Sequence, residues 1–409
     1  MPYRLKFLLS NKEIVMKLKK LFKYVLVFVF CFFLAACGKN ADQKDVKEEM
    51  ADSTQTEVQT SEEEEKEEEA KESGDGETRV LVDSQKREVT IPKDVKKIVC
   101  VGVGTLRYTC YMDSEDLIVG VEDHEKEEAV LERPYNYVNF EKFKDLPGIG
   151  DNGEPNLEKI IELEPDVILT IDSLKIGTDE MQEKTNIPVV SIPIADSSLD
   201  ERNYEIFRIL GELYNKEEKA KEMTAYLDEI KEDLENRTKD IKPEDRPSVY
   251  VAGLSFKGHH GFEGTEANYG PLTLSYCRNL ADEVDGQEGF FEIDLEKILE
   301  WDPDIILLDF NGFDIIKDQY EKNKDLFESL SAVKNGNVYS QISYRHCATN
   351  LDTALIDAYY AGKVSFPDKF EDVDMDEKAK EIYTKFIGED IYPAQKEAGL
   401  EFRKLEIGK

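Results

Sequence analysis

Between Asn215 and Asp240, apolar residues recur every three or four positions (Ala220, Met223, Leu227, Ile230, Leu234) on a charged background. That spacing predicts one long amphipathic helix with a single buried stripe. On either side of it the pattern changes to short apolar runs. Before it come Ile98 to Val101, Leu117 to Val121, Val167 to Ile171 and Pro188 to Ile192; after it come Val249 to Ala252, Ile305 to Leu308 and Val338 to Tyr339. Such runs read as buried strands, and helical stretches between them imply mostly parallel sheets covered on both faces. Arg79 to Pro92 alternates as a hairpin, with Val80 and Val82, a polar turn, then Val89 and Ile91. Asp374 to Gly388 reads as another amphipathic helix, and the last twenty residues carry no clear pattern.

One stretch occurs twice. Asn156 to Thr170 is NLEKIIELEPDVILT and Asp294 to Leu308 is DLEKILEWDPDIILL, nine of fifteen positions identical at an offset of 138 residues. In each copy Asn156 or Asp294 caps a helix whose apolar triplet (Leu157, Ile160, Ile161; Leu295, Ile298, Leu299) faces inward. Pro165 or Pro303 then ends the helix, and a β-branched strand follows. Glu158 and Glu296 fall off the apolar face at matching places. The chain therefore reads as α/β, with two similar lobes of mostly parallel sheet joined by one long helix and a ligand cleft between them. The expected boundaries are residues 79–200 for the first lobe, 201–245 for the connecting helical segment and 246–409 for the second lobe. A helical strut resists bending more than paired loops do, so cleft motion is expected to be small.

The N-terminus reads as targeting rather than structure. Lys17, Lys19, Lys20 and Lys23 precede an apolar run from Tyr24 to Ala36, shorter than the roughly 20 residues a membrane span needs. It closes on Leu34-Ala35-Ala36-Cys37-Gly38, which resembles a bacterial lipobox and implies cleavage before Cys37 and lipid on that residue, over residues 1–37. Met16 begins a more typical leader than Met1. Residues 38–78 are polar and acidic and read as a disordered tether. The leader carries +6 and the tether −11, which leaves about −31 of the total −36 on residues 79–409. So acidic a body is a poor nucleic-acid binder. Cys100, Cys110, Cys277 and Cys347 allow three disulfide pairings without choosing one, and no Cys-x-x-Cys pair points to zinc or thiol redox chemistry.

Three places could carry chemistry. Gly102-Val103-Gly104 follows a strand and precedes a helix, but Arg107 stands where a dinucleotide fingerprint needs its third glycine. With Thr105, this turn instead offers backbone N–H groups and a guanidinium suited to a carboxylate or oxyanion. Gly258-His259-His260-Gly261 is a glycine-flanked loop whose imidazoles suit a metal, a planar macrocycle or a polar ligand. In an extended segment the two would point oppositely. Tyr344-Arg345-His346 follows a strand and should face the crevice. Arg133-Pro134-Tyr135 is a weaker candidate, and His124, among Glu122, Asp123 and Glu125, reads as a surface residue. No nucleophile triad or acid–base pair can be placed, so a surface enzyme such as a metal chelatase finds no support.

Together these residues resemble the helical-backbone (class III) substrate-binding proteins of ABC transporters, over roughly Arg79 to Gly388. The most specific parts are Val89-Thr90-Ile91-Pro92 leading to Ile98-Val99, Leu146-Pro147-Gly148-Ile149-Gly150, the two Leu-Glu-Lys-Ile helices and the long strut. Ala354 to Phe370 resembles a subgroup of iron-complex carriers, whereas Gln85-Lys86-Arg87 departs from the usual Gly-Arg of the opening hairpin. The resemblance implies an extracytoplasmic, lipid-anchored, monomeric solute receptor without catalysis or resident cofactor. It implies that Glu158 and Glu296 meet arginines of an ABC permease. The implied cargo is an iron chelate or haem (cobalamin being another family ligand), with a molybdate- or tungstate-type oxyanion held by Arg107 as the alternative. Gly102, Gly104, Thr105, Arg107, His259, His260, Tyr344, Arg345 and His346 are the expected ligand contacts.

Overall fold

The computed structural model describes residues 77–195 and 200–407. The leader (1–37), Cys37 and the acidic tether through residue 76 lie outside the described residues. Two four-stranded parallel sheets form the body. The first runs Ile118–Gly120, Ile98–Val101, Val167–Ile171, Val189–Ile192 in spatial order. The second runs Arg278–Asn279, Ser248–Ala252, Ile305–Asp309, Val338–Gln341. In chain order each sheet is second, first, third, fourth, so the sequence repeat marks a repeat of topology. Every residue of the two central strands in each sheet is buried, as parallel strands covered on both faces require.

The repeated helices, Leu157–Leu163 and Leu295–Trp301, each lead directly into the third strand. Asn156 caps the first, its side chain accepting from the Lys159 N–H at 3.2 Å, whereas Asp294 holds the cap position without a side-chain bond. Ile160 and Ile298 are buried. Ile161 is not: it stays 43% exposed, because a helix of under two turns buries only a narrow stripe. In the hairpin Thr78–Val82 with Glu88–Pro92, Leu81 pairs with Val89 and faces the core, while Val80 and Val82 point outward.

The strut spans Glu217–Thr238, about 33 Å at 1.5 Å per residue. All five residues of its expected stripe are buried. It packs closely on the preceding helix Arg202–Tyr214: a side chain on Gly211 would come within 2.7 Å of the Ala220 Cβ. The helix Met375–Ile387 begins with Asp374 accepting from the N–H groups of Asp376 and Glu377 and ends at Gly388 with φ 73°. Together with Leu351–Ser365 it shares one hydrophobic core with the strut and the first lobe, through Leu355, Ile382 and Phe386 against Leu227, Phe207 and Tyr111. Two further cores fill the second lobe. The tail covers the outer edge of the second sheet, with Leu405 N–H donating to Val338 O at 2.8 Å. Among the described residues no helix is long and apolar enough to cross a membrane.

Candidate functional site

Parallel strands end together, so the loops after them gather at one end of each lobe. In the first lobe the chain leaves Val101 through Gly102 (φ 91°) and Gly104 (φ 89°), conformations that favour glycine, and enters the helix Thr105–Tyr111. Thr105 Oγ1 donates back to Gly102 O at 2.7 Å. The expected anion nest is already filled by the protein: Glu122, itself buried, accepts from Gly102 N–H at 3.1 Å and Gly153 N–H at 2.7 Å. Burial pushes the Glu122 carboxyl upward, and those two bonds oppose it.

Arg107 is 1% exposed and reaches across to the second lobe. It donates to Asn350 Oδ1 at 2.9 Å, Thr349 O at 2.7 Å, His346 O at 3.3 Å and the Cys347 carbonyl, with the Tyr135 ring 5.1 Å away. The guanidinium expected to meet an oxyanion is therefore engaged as a tie between the lobes. The loop it grips turns sharply, with Cys347 at φ 53° and Ala348 at φ 68°.

Beside this tie lies a cluster missing from the expected contacts. Buried Glu125 accepts from Tyr135 Oη at 2.6 Å, Asn136 Nδ2 at 2.7 Å and Arg133 Nη1 at 3.2 Å. His124, read from the sequence as a surface residue, instead pairs through Nδ1 with Asp151 at 2.6 Å and lies 3.3 Å from Glu125. Burial opposes its charge, but Cys347, Glu125 and Asp151 outweigh burial and raise it to about 11. His346 behaves oppositely. Burial, then Arg133 and Arg107, lower it to about 4, so its imidazole is neutral at ordinary pH.

The other expected contacts divide. Tyr344 is buried against Tyr269, and Arg345 pairs with Glu266 at 2.6 Å, so both act within the second lobe. His259 is exposed, hydrogen-bonds Asn311 O at 2.7 Å and lies within electrostatic range of His346. His260 turns the other way and uses both ring nitrogens, on Glu292 at 2.8 Å and Phe256 O at 2.9 Å. Glu158 and Glu296 are exposed in the first turns of their helices, and neither makes an ion pair among the described residues. All four described cysteines are free. Among the described residues no group of three or more His, Cys, Asp or Glu is placed to hold a metal ion.

The described residues thus form two like lobes, each built on a four-stranded parallel sheet of the same strand order. The sequence model of the periplasmic binding protein family matches residues 113–342, more than half of the chain. The chain belongs to that family. Such proteins bind solutes outside the cytoplasm for ABC permeases and are not enzymes, and what they bind is cargo rather than cofactor. This binding protein is 23% identical to the molybdate-binding protein MolA of Haemophilus influenzae, over 75% of this chain and 90% of MolA. It is 26% identical to the high-affinity heme uptake system protein IsdE of Staphylococcus aureus, over 57% of this chain and 82% of IsdE. A periplasmic solute binding protein of Veillonella parvula shares the fold, with TM-score 0.61 and 20% identity over 77% of this chain and 94% of its own.

Proposed function

We propose that this binding protein captures an iron complex, a siderophore chelate or haem, and hands it to an ABC permease that docks on Glu158 and Glu296. Lipid on Cys37 would hold it at the membrane, and the acidic tether would give it reach. The observation that carries the cargo class is His346, at the seam of the lobes and near His259. Burial and two neighbouring arginines keep it neutral, and neutral imidazole is the form that ligates a metal. Similarity to a haem uptake protein supports the same class.

An oxyanion cargo is the second reading, favoured by the likeness to MolA. Its expected donors, Gly102 N–H and Arg107, are occupied by Glu122 and by second-lobe carbonyls, so binding would require those contacts to open. Calorimetry and melting shifts with ferric siderophores, haem, cobalamin and molybdate separate the two. Ferric or haem binding that survives Arg107→Ala is the expected result. Molybdate binding abolished by that substitution would favour the oxyanion, and silence toward every probe would remove both classes.

A further inference from the structure

Two backbone N–H groups meet where the strands of the first lobe end. One belongs to Gly102, which follows the strand Ile98–Val101. The other belongs to Gly153, in the turn Asn152-Gly153 that joins the short strands Gly150–Asp151 and Glu154–Pro155 with φ 48° and 72°. A two-residue turn of this kind bonds its flanking residues to each other and leaves the N–H of its second residue free. A side chain at either glycine would run into Leu174, 3.3 Å from Gly102 and 2.6 Å from Gly153, so the two stand under one cover. Both N–H groups converge on the Glu122 carboxylate, one on each oxygen, at 3.1 and 2.7 Å.

Converging backbone N–H groups form an anion-binding concavity, and this one holds an anion of its own. The second lobe supplies the comparison. There Gly253 (φ 78°) follows the strand Ser248–Ala252 as Gly102 follows Ile98–Val101, and its N–H donates to a backbone carbonyl, Gly261 O, at 3.1 Å. The repeated topology thus satisfies the same N–H with a neutral acceptor in one lobe and with a buried carboxylate in the other. Burying a charge costs more than burying a carbonyl, so closing the loop does not by itself call for Glu122. A fixed negative charge adds what a carbonyl lacks: it occupies the cradle and repels any free anion that approaches it.

We infer that Glu122 is a specificity-determining residue, filling the N–H cradle of Gly102 and Gly153 from within and so excluding small tetrahedral oxyanions from the strand ends of the first lobe. Exclusion holds whichever metal complex the protein carries, so it stands apart from the iron-complex reading above. It also makes the cradle a latent anion site, opened by removal of one side chain.

The test titrates the purified full chain and its Glu122→Ala and Glu122→Ser variants with molybdate, sulfate and phosphate, by calorimetry and by following the Gly102 and Gly153 amide resonances in NMR. Wild type should give no heat and no shift at these amides. In the variants at least one oxyanion should bind about tenfold or more above wild type, as charge-assisted bonds from two N–H groups allow. The two amides should shift together, and the melting temperature should rise with the anion present. Binding by wild type as tight as by the variants overturns exclusion by Glu122. So do folded variants whose two amides stay put in every anion, even if heat shows an anion bound elsewhere. Variants that fold in neither case, with or without the anions, would make Glu122 a structural tie only and also overturn it. Ferric siderophore and haem binding, measured on the same wild-type preparation, stands or falls separately.

Discussion

His124 and His346 lie in one seam yet are driven apart in titration, which makes the residue scale testable by itself. His124 is raised to about 11, so its pairing contributes fully below its ordinary value near 6.5 and is lost as pH rises through about 11. His346 is lowered to about 4, so the folded state resists its protonation, and stability is lost as pH falls from about 6.5 through 4. Proton-detected NMR should find the His124 ring charged and the His346 ring neutral across pH 5 to 8; both titrating near 6.5 would refute the cluster. Asp357 offers a second test. It is fully buried, neither oxygen has a well-formed hydrogen bond, and Asp309 repels its charge, so burial followed by Asp309 holds its carboxyl well above the usual range. Its contribution is complete below about 3.8 and declines as pH rises. Asp357→Asn should flatten the fall in melting temperature as pH rises above the usual carboxylate range. An unchanged pH profile would mean that the carboxyl has found a partner. Arg107 and His346 were legible as strand-end residues. The His124–Asp151 pair was not, because its partners lie 27 residues apart and His124 sits among Glu122, Asp123 and Glu125, which read as solvent-facing.

At the scale of elements, legibility followed how many sides of a segment are buried. The strut was readable because one face is apolar and the other is not, and the parallel strands because they are buried throughout. The helix Leu351–Ser365 showed only as a family likeness. It is buried on nearly every side, between the strut, the first lobe and the second, so no stripe marks it. The antiparallel pair of Gly264–Ala267 with Gly289–Glu292 was missed because its strands are short, lack alternation and are far apart in sequence. Leu227 lies on the buried stripe of the strut, in the core that joins it to the first lobe. Leu227→Ala should cost about 2–5 kcal/mol in chemical denaturation; a loss below about 1 kcal/mol would mean that the strut is not a core element. If the strut also sets the lobe spacing, small-angle scattering should change little when cargo is added, and a marked compaction would contradict a rigid connection.

The whole molecule repeats one design: strand order, leading helix and exposed glutamate recur in both lobes, and the strut and C-terminal helices bind the halves together. The matching helices put one exposed carboxylate at the same structural address in each lobe, and in the docking proposed above a permease would grip both lobes through that pair. The most direct measurement is uptake of a radiolabelled ferric cargo by cells carrying Glu158→Arg with Glu296→Arg, alongside calorimetry on the same purified variant. The account predicts that transport stops while soluble affinity stays at the wild-type value. Transport at the wild-type rate in the double variant would contradict it.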